Sequence, residues 1–179
     1  GLRISMSKQA KHTGLSRLAL DANLLILWVT GLCKREDVGK TKKTKSYGPE
    51  QFDQLDSILS EYVKSDLRQI VVTPNVITEC SDLVDDSRPK NGKSPRGQVL
   101  KCLIDEGLID IEQYVPSKEA MELDEYSYLG VTDCTLLSLI DENTALLTDD
   151  TELVYKAMVI NQDSRCFGSI RQDIHGRKR

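Results

Sequence analysis

The chain has 179 residues, of which 39% are hydrophobic and 29% charged, with a net charge of −4 at pH 7. That balance excludes a disordered chain, no apolar run approaches the roughly 20 residues of a membrane span, and the length suits one domain with a sizeable core. Five widely spaced cysteines without a C-x-x-C pair argue against a disulfide framework or a zinc site and fit a reducing cytoplasm; two histidines near the ends leave carboxylates as the available chemistry.

Residues 1–16 read as a flexible segment or tag remnant, with "GLRIS" before Met6 as a vector scar. Leu18, Ala19 and Leu20 predict a strand over 17–21, and 24–33 predicts a helix that is apolar on most faces and therefore buried. The lysine-rich stretch 34–48 predicts a mobile loop. Pro49 then opens a second helix, in which Phe52, Leu55, Ile58, Leu59 and Tyr62 recur at helical spacing. "RQIVVTP" predicts a short buried strand ending at Pro74. In the next helix Val76, Ile77, Cys80, Leu83 and Val84 form one apolar stripe, with Glu79 at its margin.

A basic loop separates this helix from another near 96–106, and "LIDIEQYVP" predicts a short extended piece. "SKEAMELDEYSYL" predicts one further helix, "VTDCTLLSLIDEN" a helix that Thr132 could cap, "TALLTDD" a strand and "TELVYKAMVI" a last helix. "RCFGSI" is readable as an edge strand, and 171–179 as a basic tail. Cys80, Cys102 and Cys134 sit among apolar residues as small hydrophobes. Strands alternating with helices predict an α/β domain over 17–170, with a central parallel β-sheet flanked by helices.

The carboxylate of Asp21 stands inside the most apolar stretch of the chain, "LALDANLLILW". Burying it is expensive unless a cation or hydrogen-bond donors compensate. Parallel sheets collect ligands beyond the carboxyl ends of their strands. Asp21 ends the first predicted strand, Asp149 and Asp150 end the later one, and Glu79 and Asp133 fall in what read as the opening turns of helices. Each acid alone has an ordinary role open to it, as turn residue, helix cap or solvated margin. Together they repel one another, and a hard divalent ion, Mg²⁺ or Mn²⁺, is the natural occupant of their midst.

"LALDANLLI", "TPNVITECSDLV", "LGVTDCTLLSLI" and "ALLTDDTEL" resemble, in order and spacing, the four motifs of the PIN-domain ribonucleases, the fold of the toxin in VapBC-type toxin–antitoxin pairs. The resemblance spans about residues 17 to 158. It implies a three-layer PIN-like fold, one or two Mg²⁺ or Mn²⁺ ions, and hydrolysis of single-stranded RNA by a cytoplasmic enzyme. By position, Asp21 matches the first acid of a D-x-N pattern, Glu79 the helix glutamate and Asp133 the acid of the later helix. Thr148 and Asp150 match a T-x-D element, with Asp149 at its variable position as an alternative ligand. Asn23 pins the loop or caps the first helix, and Thr148 is placed to bond a metal water. An antitoxin or other protein partner and a homodimer belong to the same expectation. The chain departs from the compact toxins in its longer 34–48 and 86–95 loops and in lacking a clear final strand after Met158.

Segment 34–45 holds six basic residues against two acidic. Lys34, Arg35, Lys40, Lys42, Lys43 and Lys45, with Arg88, Lys90, Lys93 and Arg96 of the later loop, are candidate contacts for an RNA backbone; solvated loops are the ordinary alternative. Aromatics, at 5%, do not support extensive base stacking. "GKT" at 39–41 lacks the glycine and the preceding strand of a phosphate-binding loop. A haloacid-dehalogenase-type phosphatase needs a second acid where Asn23 stands. A PIN-like module that binds RNA or protein without cutting is the non-enzymatic alternative.

Overall fold

The computed structural model describes residues 16–84, 92 and 94–169. The expectations for the N-terminal segment, the basic tail and Arg88, Lys90 and Lys93 lie outside these residues, as do those for the side chains of Leu83 and Val84. In chain order the elements are β1 (Ser16–Leu20), α1 (Ala22–Cys33), a 3-10 turn (Arg35–Asp37), α2 (Pro49–Val63), β2 (Arg68–Val72), α3 (Pro74–Val84), α4 (Pro95–Asp105), β3 (Ile111–Glu112), α5 (Ser117–Met121), α6 (Tyr126–Leu129), α7 (Val131–Leu139), β4 (Thr144–Thr148), α8 (Thr151–Ile160) and β5 (Arg165–Cys166).

The five strands form one sheet in the order β3-β2-β1-β4-β5, every pair parallel. Parallel neighbours need a crossover, which the helices supply, and helices on the faces explain why the strands read as continuous apolar runs. Register places Leu18, Ile70 and Ala145 on one face, and Ala19, Val71 and Leu146 on the other. Val71 packs with Val115, Ala120, Cys134 and Leu139, so the segment from β3 to α7 covers that side of β2. The larger cluster gathers Leu18, Leu20, Ile70 and Val72 with α1, α2 and α4.

Helix α1 is buried from Leu24 to Gly31 because it is wedged among α2, α3 and α4. Its one indole N–H is satisfied by Asp56 Oδ1 at 2.9 Å, tying α1 to α2. A Cβ on Gly31 would lie 2.0 Å from Phe52 Cδ2, so glycine is what lets the two helices meet there. Among the described residues no helix is long and apolar enough to cross a membrane.

Four local expectations need correction. Segment 34–48 is folded rather than a bare loop: Val38, Thr44 and Tyr47 are buried, Gly39 N–H and Thr41 Oγ1 bond Thr44 Oγ1, and Arg35 pairs with Asp53. Its charge density hid the apolar residues that anchor it. The single helix expected over 117–129 breaks between α5 and α6. Three acids, Glu122, Asp124 and Glu125, crowd the break, and turn bonds from Leu123 N to Ala120 O and Tyr126 N to Leu123 O carry the chain across. Thr132 does not cap α7, because Gly130, at φ 83°, occupies the capping position. Cys102 is exposed, whereas Cys80 and Cys134 are buried as expected. Of the edge strand read in "RCFGSI", only Arg165–Cys166 is extended, as β5, and 167–169 turn helical.

Candidate functional site

Strand β1 ends at Leu20, and Asp21 turns the chain into α1. Its Oδ1 accepts the Leu24 N–H at 2.8 Å, which makes Asp21 the N-cap. Its Oδ2 accepts the hydroxyl of Thr148, the last residue of β4. Thr148 Oγ1 in turn accepts the Asp150 N–H at 3.0 Å. One hydroxyl therefore clips the carboxyl ends of β1 and β4 together. Asp150 caps α8, its Oδ1 accepting from Glu152 N and Leu153 N at 2.9 Å each. Helix caps attract acids by nature, so the bland and the functional roles of Asp21 and Asp150 coexist on the same side chains.

Asp133 lies in the first turn of α7, half-buried, and Glu79 is midway along α3 rather than in its opening turn. Two threonines brace these helices: Thr73 Oγ1 caps α3 by accepting from Val76 N at 3.3 Å and meets Thr135 Oγ1 of α7 at 3.1 Å. Both threonines are fully buried. Neither stands out as functional in the sequence, although threonine followed by proline at a helix start is a legible cap signal for Thr73.

Asp21, Glu79, Asp133 and Asp150 line one cleft of about 280 Å³, together with Asn23 and Gly130. Four elements distant in sequence thus deliver four acids to one place. Asp149 is half-buried outside this lining and acts on Asp21 only through its charge and its backbone N–H. Asn23 lines the cleft, exposed, and caps nothing, since Asp21 takes that role. The cleft lies beyond the carboxyl ends of the paired strands β1 and β4, where the strand order reverses: the chain leaves β1 towards β2 and β3 on one side, and β4 towards β5 on the other. Such a switch point is where open parallel sheets hold their ligands.

The electrostatics record the crowding. Burial pushes the Asp21 carboxyl up to about 6, against the pull of hydrogen bonds from Thr148 and Leu24. Asp133 is also pushed up to about 6, first by burial and then by the negative charges of Asp150, Asp21 and Glu79. The shift of Asp133 thus carries the mark of the neighbouring acids, whereas that of Asp21 is chiefly the cost of burial, with Asp149 adding the charge that raises it further. Among the described residues no three acidic, cysteine or histidine side chains are arranged to ligate one ion together. The donor set is all oxygen, however, and a hard ion such as Mg²⁺ keeps several waters and needs only one or two carboxylates. The acids fit a hydrated Mg²⁺ or Mn²⁺ rather than a caged one.

The basic candidates separate. Lys40, Lys42, Lys43 and Lys45 lie on the folded 34–48 segment, all four of them exposed. Lys34 lies 3.9 Å from Asp37, and Arg35 makes two bonds to Asp53 at 2.8 and 2.6 Å. Arg96 is a correction: it is 7% exposed and bonded to Asp37 at 3.4 Å, so it fastens α4 to the 3-10 turn instead of facing a polyanion. In comparisons with known proteins, no family model, no curated protein and no solved structure matches the chain.

Proposed function

We propose that the chain is a Mg²⁺- or Mn²⁺-dependent endoribonuclease of the PIN-domain kind, hydrolysing phosphodiester bonds of single-stranded RNA. The supporting observation is the meeting of Asp21, Glu79, Asp133 and Asp150 in one cleft at the switch point of the sheet. A cytoplasmic setting, with a protein antitoxin and a homodimeric toxin, is the biology this proposal brings with it; the free thiols of the five cysteines fit that compartment.

The four acids would hold the ion directly or through water. When bound, a divalent cation neutralises charge at the scissile phosphate and acidifies an attacking water. Thr148 keeps the Asp21 carboxylate aimed by bonding Oδ2, while the Leu24 N–H holds Oδ1. Asp133, pushed up to about 6 by burial and by its acidic neighbours, is the member of the set whose ionised form a bound cation would favour most. In this reading the attacking group is water, as hydrolysis by a metal-dependent nuclease requires.

The test is incubation of a mixed RNA pool with Mn²⁺, with and without chelator, for the wild type and the Asp21→Asn variant. Cleavage should require the ion and fall by about 100-fold or more in the variant, as for removal of an electrostatic partner of the transition state. Undiminished cleavage by Asp21→Asn would overturn the proposal. One observation favours a second reading, a non-catalytic binding module: the oxygens of Asp21 and Oδ1 of Asp150 are already engaged as caps and clips. A module of that kind shows no rise in Tm with Mn²⁺, whereas a metal site does through linkage.

A further inference from the structure

The acid cleft shares Glu79 and Thr132 with a second, larger groove of about 580 Å³. Lys43 from the folded basic segment, Asn75 and Thr78 from the start of α3, and Tyr114 from the connection after β3 line this groove. Tyr114 is 71% exposed and takes part in neither apolar cluster. It follows the carboxyl end of β3, the same edge of the sheet at which the acids gather. An aromatic ring left in water beside a polar groove, with a lysine ammonium in the same lining, is the combination by which proteins hold single-stranded nucleic acid: the ring stacks a base and the cation meets the backbone.

Resting on the ribonuclease reading, the geometry points to a nucleotide subsite in this groove, in which the base next to the scissile phosphate stacks on Tyr114 and the adjoining phosphate meets Lys43. The lining sets the orientation. Asp82 and Glu79 repel a phosphate along α3, so the backbone runs by Lys43 and the base turns inward. Asn75, Thr78 and Ser117 then offer donors and acceptors to a base edge. Extended stacking is not required; one tyrosine seats one base.

The experiment measures fluorescence anisotropy of an end-labelled single-stranded RNA oligonucleotide with the Asp21→Asn protein in Mg²⁺, and steady-state cleavage with the otherwise wild-type chain. Tyr114→Ala should weaken binding by about tenfold, as for loss of one stacked base, with Tyr114→Phe and Tyr114→Trp restoring it. In the cleavage assay the same alanine variant should raise KM and largely keep kcat, the sign that ground state and transition state are weakened alike. Lys43→Gln should weaken binding and flatten its salt dependence by about one ion. The side chains are exposed, so Tm should not move.

If RNA is cleaved but Tyr114→Ala leaves affinity and KM unchanged, the subsite is overturned and the nuclease stands. Binding that depends on Tyr114, with no cleavage by the wild type in Mn²⁺, keeps the subsite and removes the nuclease. Absence of RNA binding by every form overturns both.

Discussion

At the scale of single residues, Asp21 costs the fold stability at the very place where the proposed ion would sit. Its carboxyl titrates near 6 in the folded chain against an ordinary 3.8. Between those values the folded state holds a proton that the unfolded state has released, so stability falls as pH rises from about 4 to about 6, and the full penalty stands above that range. The penalty is on the order of 2–3 kcal/mol, and half-exposed Asp133 adds a smaller share of the same sign. Asparagine keeps the geometry: its oxygen accepts from Leu24 N, and its amide donates to Thr148 Oγ1. Asp21→Asn should therefore melt several degrees above the wild type at pH 7, with the gap closing near pH 4. Mn²⁺ should raise the Tm of the wild type but not that of the variant. Calorimetry across that range checks both, and a variant less stable than wild type at pH 7 refutes the account.

At the scale of elements, the sharpest constraint is the packing of α1 on α2. Gly31→Ala drives a methyl into the Phe52 ring, which is itself buried. Overpacking of this kind costs about 1–3 kcal/mol. Urea unfolding should show that loss for Gly31→Ala and partial recovery in the double variant with Phe52→Leu, because the two substitutions share one volume. Most elements are readable because apolar periodicity is local: Phe52, Leu55 and Leu59 mark α2 without knowledge of their partners. Asp21, Asp133 and Asp150 are readable together, since strand ends and helix starts set where a parallel sheet places side chains; Glu79, midway along α3, is not placed by that rule, and Asp149 falls outside the cleft. Arg96 is not readable. Its burial depends on Asp37, 59 positions away, and a charge in a basic run gives no local sign of such a partner. The fold of 34–48 escapes for a similar reason, resting on Thr44 and on the distant Asp53.

At the scale of the whole molecule, an acidic chain with a net charge of −4 carries a group of lysines on one folded segment, and Lys43 places that segment beside the groove that adjoins the acids. On the proposed reading RNA would be drawn to this lysine group against a net negative chain, so its affinity should fall steeply with salt. Replacing Lys40, Lys42 and Lys45 by glutamine should reduce the log–log salt slope by about one for each phosphate no longer neutralised. Arg96→Gln should leave that slope alone and lower Tm instead, because its partner is Asp37. Filter binding over a salt series separates the two.

The outermost strands β3 and β5 hold two residues apiece. Each flank of the sheet therefore presents too short a row of backbone amides for another polypeptide to extend, and short flanks of this kind guard against fibrillar stacking. Among the described residues, a second copy would find greasy contacts on α8, where Tyr155, Val159 and Ile160 are uncovered, more readily than a backbone row to anneal to.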